Sequence, residues 1–217
     1  VGLQGGYYET QDPKYIYNEN IEIPFYWNLT NENIPDKEII ETELMEYVKY
    51  NLPVCINNFS VLRNQGFDIE IGKISGDSII SVEDIVFNID YSIEVKKEDQ
   101  ITKLKSFINI IDIDFNQKYE VVKQIITEQK RTPDSIPFGF IAYLAHKHNF
   151  TFETINLGEG FIFYTLIFEE EKFQDPFIYA FMAQYNWSGM IYSPEIINIE
   201  LLPEFNITEE KSFSYQV

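Results

Sequence analysis

The sequence predicts an α+β fold in which about three helices pack on an antiparallel meander, with the strands divided between two sub-sheets. Three observations predict it. From Val82 to Lys97, apolar Ile85, Phe87, Ile89, Tyr91, Ile93 and Val95 alternate with Val86, Asn88, Asp90, Ser92 and Glu94. A period of two marks a strand with one buried and one wet face. Shorter apolar stretches flank this strand across brief polar turns, as successive strands of a meander do. Segments of helical period lie on both sides of the three strands.

Taken in order, residues 1–34 read as an irregular, extended strap. Gly5-Gly6 breaks the chain and Asp12-Pro13 turns it. Tyr7, Tyr8, Tyr15, Tyr17, Phe25, Tyr26 and Trp27 would lie over the core, with acidic and amide residues between them on the wet side. Pro35 starts a helix whose first turn holds Asp36 and Glu38, suited to the positive helix end. Ile40, Leu44, Tyr47 and Val48 form its apolar stripe, and Pro53 is expected to end it. Cys55 and Asn58 follow at a surface bend.

Gly66 opens a short strand with Phe67, Ile69 and Ile71 on one face, and Gly76-Asp77-Ser78 reads as the turn into the central strand. Residues 96–100 turn again, and 101–115 form a third, less regular strand. A second helix covers 116–131, with Tyr119, Val122 and Ile126 on a stripe that Val121 and Ile125 widen. Ser135 can cap a third helix with Pro137 in its first turn and Phe140, Ile141 and Leu144 inward. Residues 151–155 and 161–168 flank Gly158-Glu159-Gly160 as a hairpin. Residues 177–185 fit a strand or a short helix. Residues 196–202 read as a late strand and the last residues as an arm. The chain thus divides into a strap (1–34), an α+β core (35–150) and a strand-rich part (151–217) continuous with that core.

The balance of charge narrows function. Among 217 residues, 35 are acidic and 16 basic, a net charge of −19. A phosphate backbone or an anionic lipid surface would be repelled, so nucleic acid is not an expected partner. No apolar run approaches the ~20 residues of a membrane helix, which predicts a soluble chain, and Val1 in place of Met suggests processing or truncation. Tyr and Phe are abundant, but so are Ile and Asn, and Ala is rare. AT-rich codons account for that bias without base or sugar stacking.

The strongest compositional signal is the acceptor pattern N-x-[S/T]. It occurs at Asn28, Asn58, Asn149, Asn186 and Asn206. With 17 Asn and 21 Ser plus Thr, chance gives about 1.6 such sites. The excess predicts a glycosylated, extracytoplasmic protein.

Motifs for chemistry are sparse. His146 and His148, two apart on a helix, point about 200° away from each other and cannot grip one metal ion. Asp112 and Asp114 could share a Ca²⁺, but a wet strand edge running into a helix cap explains them as well. Glu169-Glu170-Glu171 and Glu98-Asp99 read as solvated turns. No phosphate loop, nucleophile elbow or zinc-protease motif is present, and Cys55 has no histidine near it in sequence. The expectation is therefore no catalytic residue, no metal and no cofactor, although 35 acids leave room for a carboxylate pair close only in space.

Several blocks resemble envelope proteins of small DPANN-type archaea. They are Gly2-Leu3-Gln4-Gly5-Gly6-Tyr7-Tyr8, Ile23-Pro24-Phe25-Tyr26 and Leu52-Pro53-Val54-Cys55, with further likeness at 119–127 and 175–185. The resemblance implies a short cytoplasmic start and one hydrophobic helix like that of type IV pilins, both ahead of this sequence. It also implies an upstream cysteine as partner of Cys55, and it carries no catalytic residues. The expected function is that of a cell-surface glycoprotein ectodomain with a structural or adhesive role in a filament or envelope assembly. Its partners would be copies of itself or other envelope proteins, together with N-linked glycans, and it would meet a membrane only through the implied helix. A monomeric carbohydrate- or peptide-binding module is the alternative, and a secreted hydrolase the second.

Overall fold

The computed structural model describes residues 1–9, 21–29, 31–170, 172–173 and 175–185, and the backbone of 14–17. It is an α+β fold with two sheets dominated by antiparallel pairs. The elements are β1 (Lys14–Tyr17), β2 (Ile21–Asn28), β3 (Asn31–Glu32), α1 (Lys37–Cys55), α2 (Ser60–Asn64), β4 (Asp68–Ile80), β5 (Ile85–Lys97), β6 (Gln100–Ile111), α3 (Phe115–Arg131), α4 (Phe138–His148), β7 (Phe150–Asn156), β8 (Phe161–Phe168) and β9 (Phe177–Gln184). Single 3₁₀ turns occupy Gly2–Gln4 and Asn57–Phe59.

The meander forms as β4-β5-β6. Ile85, Phe87, Tyr91 and Ile93 of β5 are buried, as the alternation predicts. The neighbouring strand is longer than expected. β4 runs straight through Gly76-Asp77-Ser78, pairing Gly76 with Ile89 and Ser78 with Phe87, so the expected turn there is corrected to 81–84. Gly76 adopts φ +145° because a Cβ at this point would sit 2.0 Å from the Asn88 carbonyl oxygen. The glycine serves a close strand approach rather than a turn. β6 ends at Ile111, not at 115. Backbone bonds from Ile113 N–H to Ile111 O and from Phe115 N–H to Ile113 O fold the chain into α3.

The second sheet has the order β1-β2-β9-β8-β7, with β3 beside β2. Here the expected strap is overturned for residues 21–28. They form a strand inside the sheet, antiparallel to β1 and parallel to β9. Ile23 and Phe25 bury one way with Phe163, Ala180 and Met182. Tyr26 joins the main core with Tyr164, Tyr179 and Phe181. A strand buried on both faces shows no two-residue period. The N-terminal turn docks on this strand, where the Tyr26 hydroxyl donates to the Gly5 carbonyl. Residues 177–184 resolve to a strand, β9. The expected strand at 196–202, the turn at Asp12-Pro13 and the arm lie outside the described residues.

The helices bridge the sheets into one continuous core. Asp36 caps α1 by accepting from Ile39 N–H at 2.9 Å. Ile40 and Met45 are buried, while Tyr47 of the expected stripe is exposed. α1 continues past Pro53 to Cys55. A proline in the last turn costs one hydrogen bond without stopping a helix that ends two residues later. α1 is tied to β4 by Ser78 Oγ donating to Glu41 O and by Ile80 N–H donating to Glu41 Oε1 at 2.7 Å. The Tyr119 hydroxyl of α3 donates to Pro35 O at 2.8 Å. α4 starts at Phe138 instead of being capped by Ser135, because Ser135 is held in the turn after α3. Its N–H donates to Thr132 O, and its carbonyl accepts from Gln129 Nε2.

Candidate functional site

Three of the five acceptor asparagines fall within the described residues, each at the end of an element. Asn149 is the C-cap of α4, exposed, with φ +51°. Asparagine tolerates this left-handed conformation better than most side chains. Asn58 is exposed in a tight turn whose three residues, Asn57, Asn58 and Phe59, all have positive φ. The turn is braced by Arg63 Nε donating to Asn58 O at 3.0 Å and by Asn57 Nδ2 donating to Ser60 Oγ at 2.9 Å. Asn28 is half-buried at the end of β2, beside the left-handed Leu29. Asn186 and Asn206 lie outside the described residues. Cys55, in the last turn of α1 and not at a bend, is exposed and unpaired.

The other candidate residues do not converge. Asp114 caps α3, accepting from Gln117 N–H at 2.7 Å, and Asp112 pairs with Lys172. Glu170, expected on a solvated turn, instead meets the buried Lys118 at 2.6 Å. His146 and His148 share the last turn of α4, where an imidazolium would suit the helix pole. His148 departs from that expectation. Its Nε2 is buried without a partner among the described residues. Burial, and then the like charge of Lys147, lower its pKa against a weaker pull from Asp114. No group of three or more His, Cys, Asp or Glu able to hold a metal forms among the described residues.

Buried hydroxyls cluster instead under the large sheet. Tyr26 and Tyr179 lie 2.8 Å apart. Tyr164, Tyr185 and Gln129 form a second chain. Burial raises the Tyr26, Tyr164, Tyr179 and Tyr185 phenols above their ordinary value, so they remain protonated at neutral pH and act as hydrogen-bond donors that fix the core.

Two surface features remain. A groove of about 670 Å³ runs between the N-terminal segment, α1 and β4, with Tyr8, Tyr50 and Tyr91 beside Glu43, Glu46 and Lys49. Glu43 Oε2 accepts from the backbone N–H of Tyr8 and Glu9 at 2.8 and 3.0 Å, and the Tyr8 ring meets Tyr47 edge-on at 5.5 Å. The second feature is β6, every residue of which is exposed. Beside it lies an apolar groove of about 350 Å³ between Leu52, Ile56 and Phe59 on one wall and Ile89, Ile93 and Phe107 on the other. The sequence did not reveal the exposure of β6. Ile101, Leu104, Phe107, Ile108, Ile110 and Ile111 occupy both parities, a pattern that reads as a strand covered on both faces.

No family model matches the chain, and no curated protein is similar to it. No described helix is long and apolar enough to cross a membrane.

Proposed function

We propose that this protein is the extracellular part of a cell-surface glycoprotein, working by contact with copies of itself or with other envelope proteins, and not by catalysis. The observation that carries this reading is the placing of the acceptor asparagines. Asn58 and Asn149 stand exposed in turns at helix ends, where a bulky glycan meets water and not the core. The net charge of −19 supports the same reading, since it keeps a crowded surface molecule soluble. Intact-mass measurement of native material tests it. The expected result is added glycan mass, with one glycan lost in Ser60→Ala and another in Thr151→Ala. A mass equal to the bare polypeptide would overturn the reading.

The aromatic and acidic groove favours a second reading, a monomeric module for carbohydrate or peptide. Tyr50 is 68% exposed there, and an exposed tyrosine ring beside carboxylates suits a sugar ring. Titration with a panel of oligosaccharides and basic peptides, read by chemical-shift change at Tyr8 and Tyr50, decides it. Shifts lost in Tyr50→Ala would support binding, and an unmoved spectrum would dismiss it.

A further inference from the structure

Among the described residues β6 forms a free margin of its sheet, and its exposure is extreme for an apolar strand. Ile108 and Ile110 leave 73% and 60% of their surface to water. Natural edge strands are usually blunted by proline, bulges, shortness or charge. β6 is twelve residues long and has no proline, and the one register shift in its ladder places the extra residue in β5, between Asp90 and Ile93. Its charge consists of Lys103 and Lys105, and Lys103 is already bridged to Glu94 at 2.6 Å.

Charge indicates which partner fits. Across most of its surface a molecule of charge −19 repels its own copies. β6 is the one strand of its sheet without a carboxylate, so two copies meet there with least repulsion. The sequence of the strand is also complementary to itself. An antiparallel pairing about Ser106 sets Ile101 against Ile111, Leu104 against Ile108, Lys103 against Asn109 and Lys105 against Phe107. No two lysines face one another, and Lys105 lies over an aromatic neighbour. Size comes near as well. β6 with the walls of its apolar groove offers eighteen residues, just under the roughly twenty a side of a standard interface.

We propose that β6 is the edge through which two copies of this protein associate, antiparallel about a two-fold axis at Ser106, joining the meanders of both into one continuous sheet. The proposal deepens the assembly reading above and rests on its claim that copies meet. Backbone pairing along the edge supplies the direction, and burial of Phe107, Ile108 and Ile110 supplies the driving force.

Sedimentation equilibrium on the full chain, carrying Cys55→Ser to remove the thiol, tests it. A reversible dimer is expected. Ile108→Lys should weaken it at least about tenfold without changing the circular dichroism or the melting temperature, since that side chain is largely in water. Ser106→Cys in the same background should cross-link the dimer on mild oxidation, because directly opposed antiparallel residues approach disulfide reach. A chain that stays monomeric at millimolar concentration would overturn the proposal. So would a dimer that survives Ile108→Lys, or a monomer whose β6 amides resist exchange because another segment of the same chain covers them. The two readings fail separately. A glycan-free dimer joined through β6 keeps the edge and loses the glycoprotein, and a glycosylated monomer does the reverse.

Discussion

Gly76 shows how one absent side chain fixes a register. Its φ of +145° and the 2.0 Å approach to the Asn88 carbonyl leave no room for a methyl group. Gly76→Ala is expected to cost at least about 2 kcal/mol, seen as a lower denaturation midpoint. An unchanged midpoint would mean that β4 and β5 can separate locally at no cost. His148 gives the pH dependence. Its folded pKa is lowered by burial first and by Lys147 second, so the unfolded chain takes up this proton more readily. The native state therefore loses stability as pH falls below about 6.5, the ordinary imidazole value, toward the lower folded one. His148→Gln should flatten the fall in melting temperature between pH 7 and 5.5. Parallel curves for the two proteins would remove His148 as the cause.

Among the elements, α3 is held to the end of the large sheet by one nearly buried ion pair. Lys118 meets Glu170 at 2.6 Å, donates to Asp114 O, and lies 5.5 and 5.8 Å from the Phe168 and Phe177 rings. Lys118→Ala strands the carboxylate and should cost about 3 kcal/mol in chemical denaturation, whereas Lys118→Met, which keeps the contact with the rings, should cost less. The elements also show what a sequence can reveal. β5 was legible because one face meets the core and the other water. α3 was legible because Tyr119, Val122 and Ile126 keep a helical stripe that is buried as expected. β2 was not. Pro24 and the unbroken run Phe25-Tyr26-Trp27 carry no period once both faces are covered. Gly76 misled because a glycine at a close approach and a glycine in a turn look the same in sequence. Of the candidate site, the acceptor asparagines were legible as a local motif. The groove beside Tyr8 and Tyr50 was not, since it needs α1 and β4 brought together.

At the scale of the whole molecule, a net charge of −19 would oppose the approach of one copy to another. If they associate through an apolar edge, raising the salt from low to physiological concentration should tighten the dimer, because it screens repulsion and no intermolecular ion pair is lost. Weakening with salt would point to a charged interface elsewhere. The parallel pairing of β2 with β9 bears on how the chain matures. A strand made early must wait for a neighbour about 150 residues further on, and contacts of such separation form slowly. If Asn28 is a glycan acceptor, it would be open during synthesis to an enzyme that the finished sheet half shuts out, and the order of events, not the final shape alone, would set whether that position is modified.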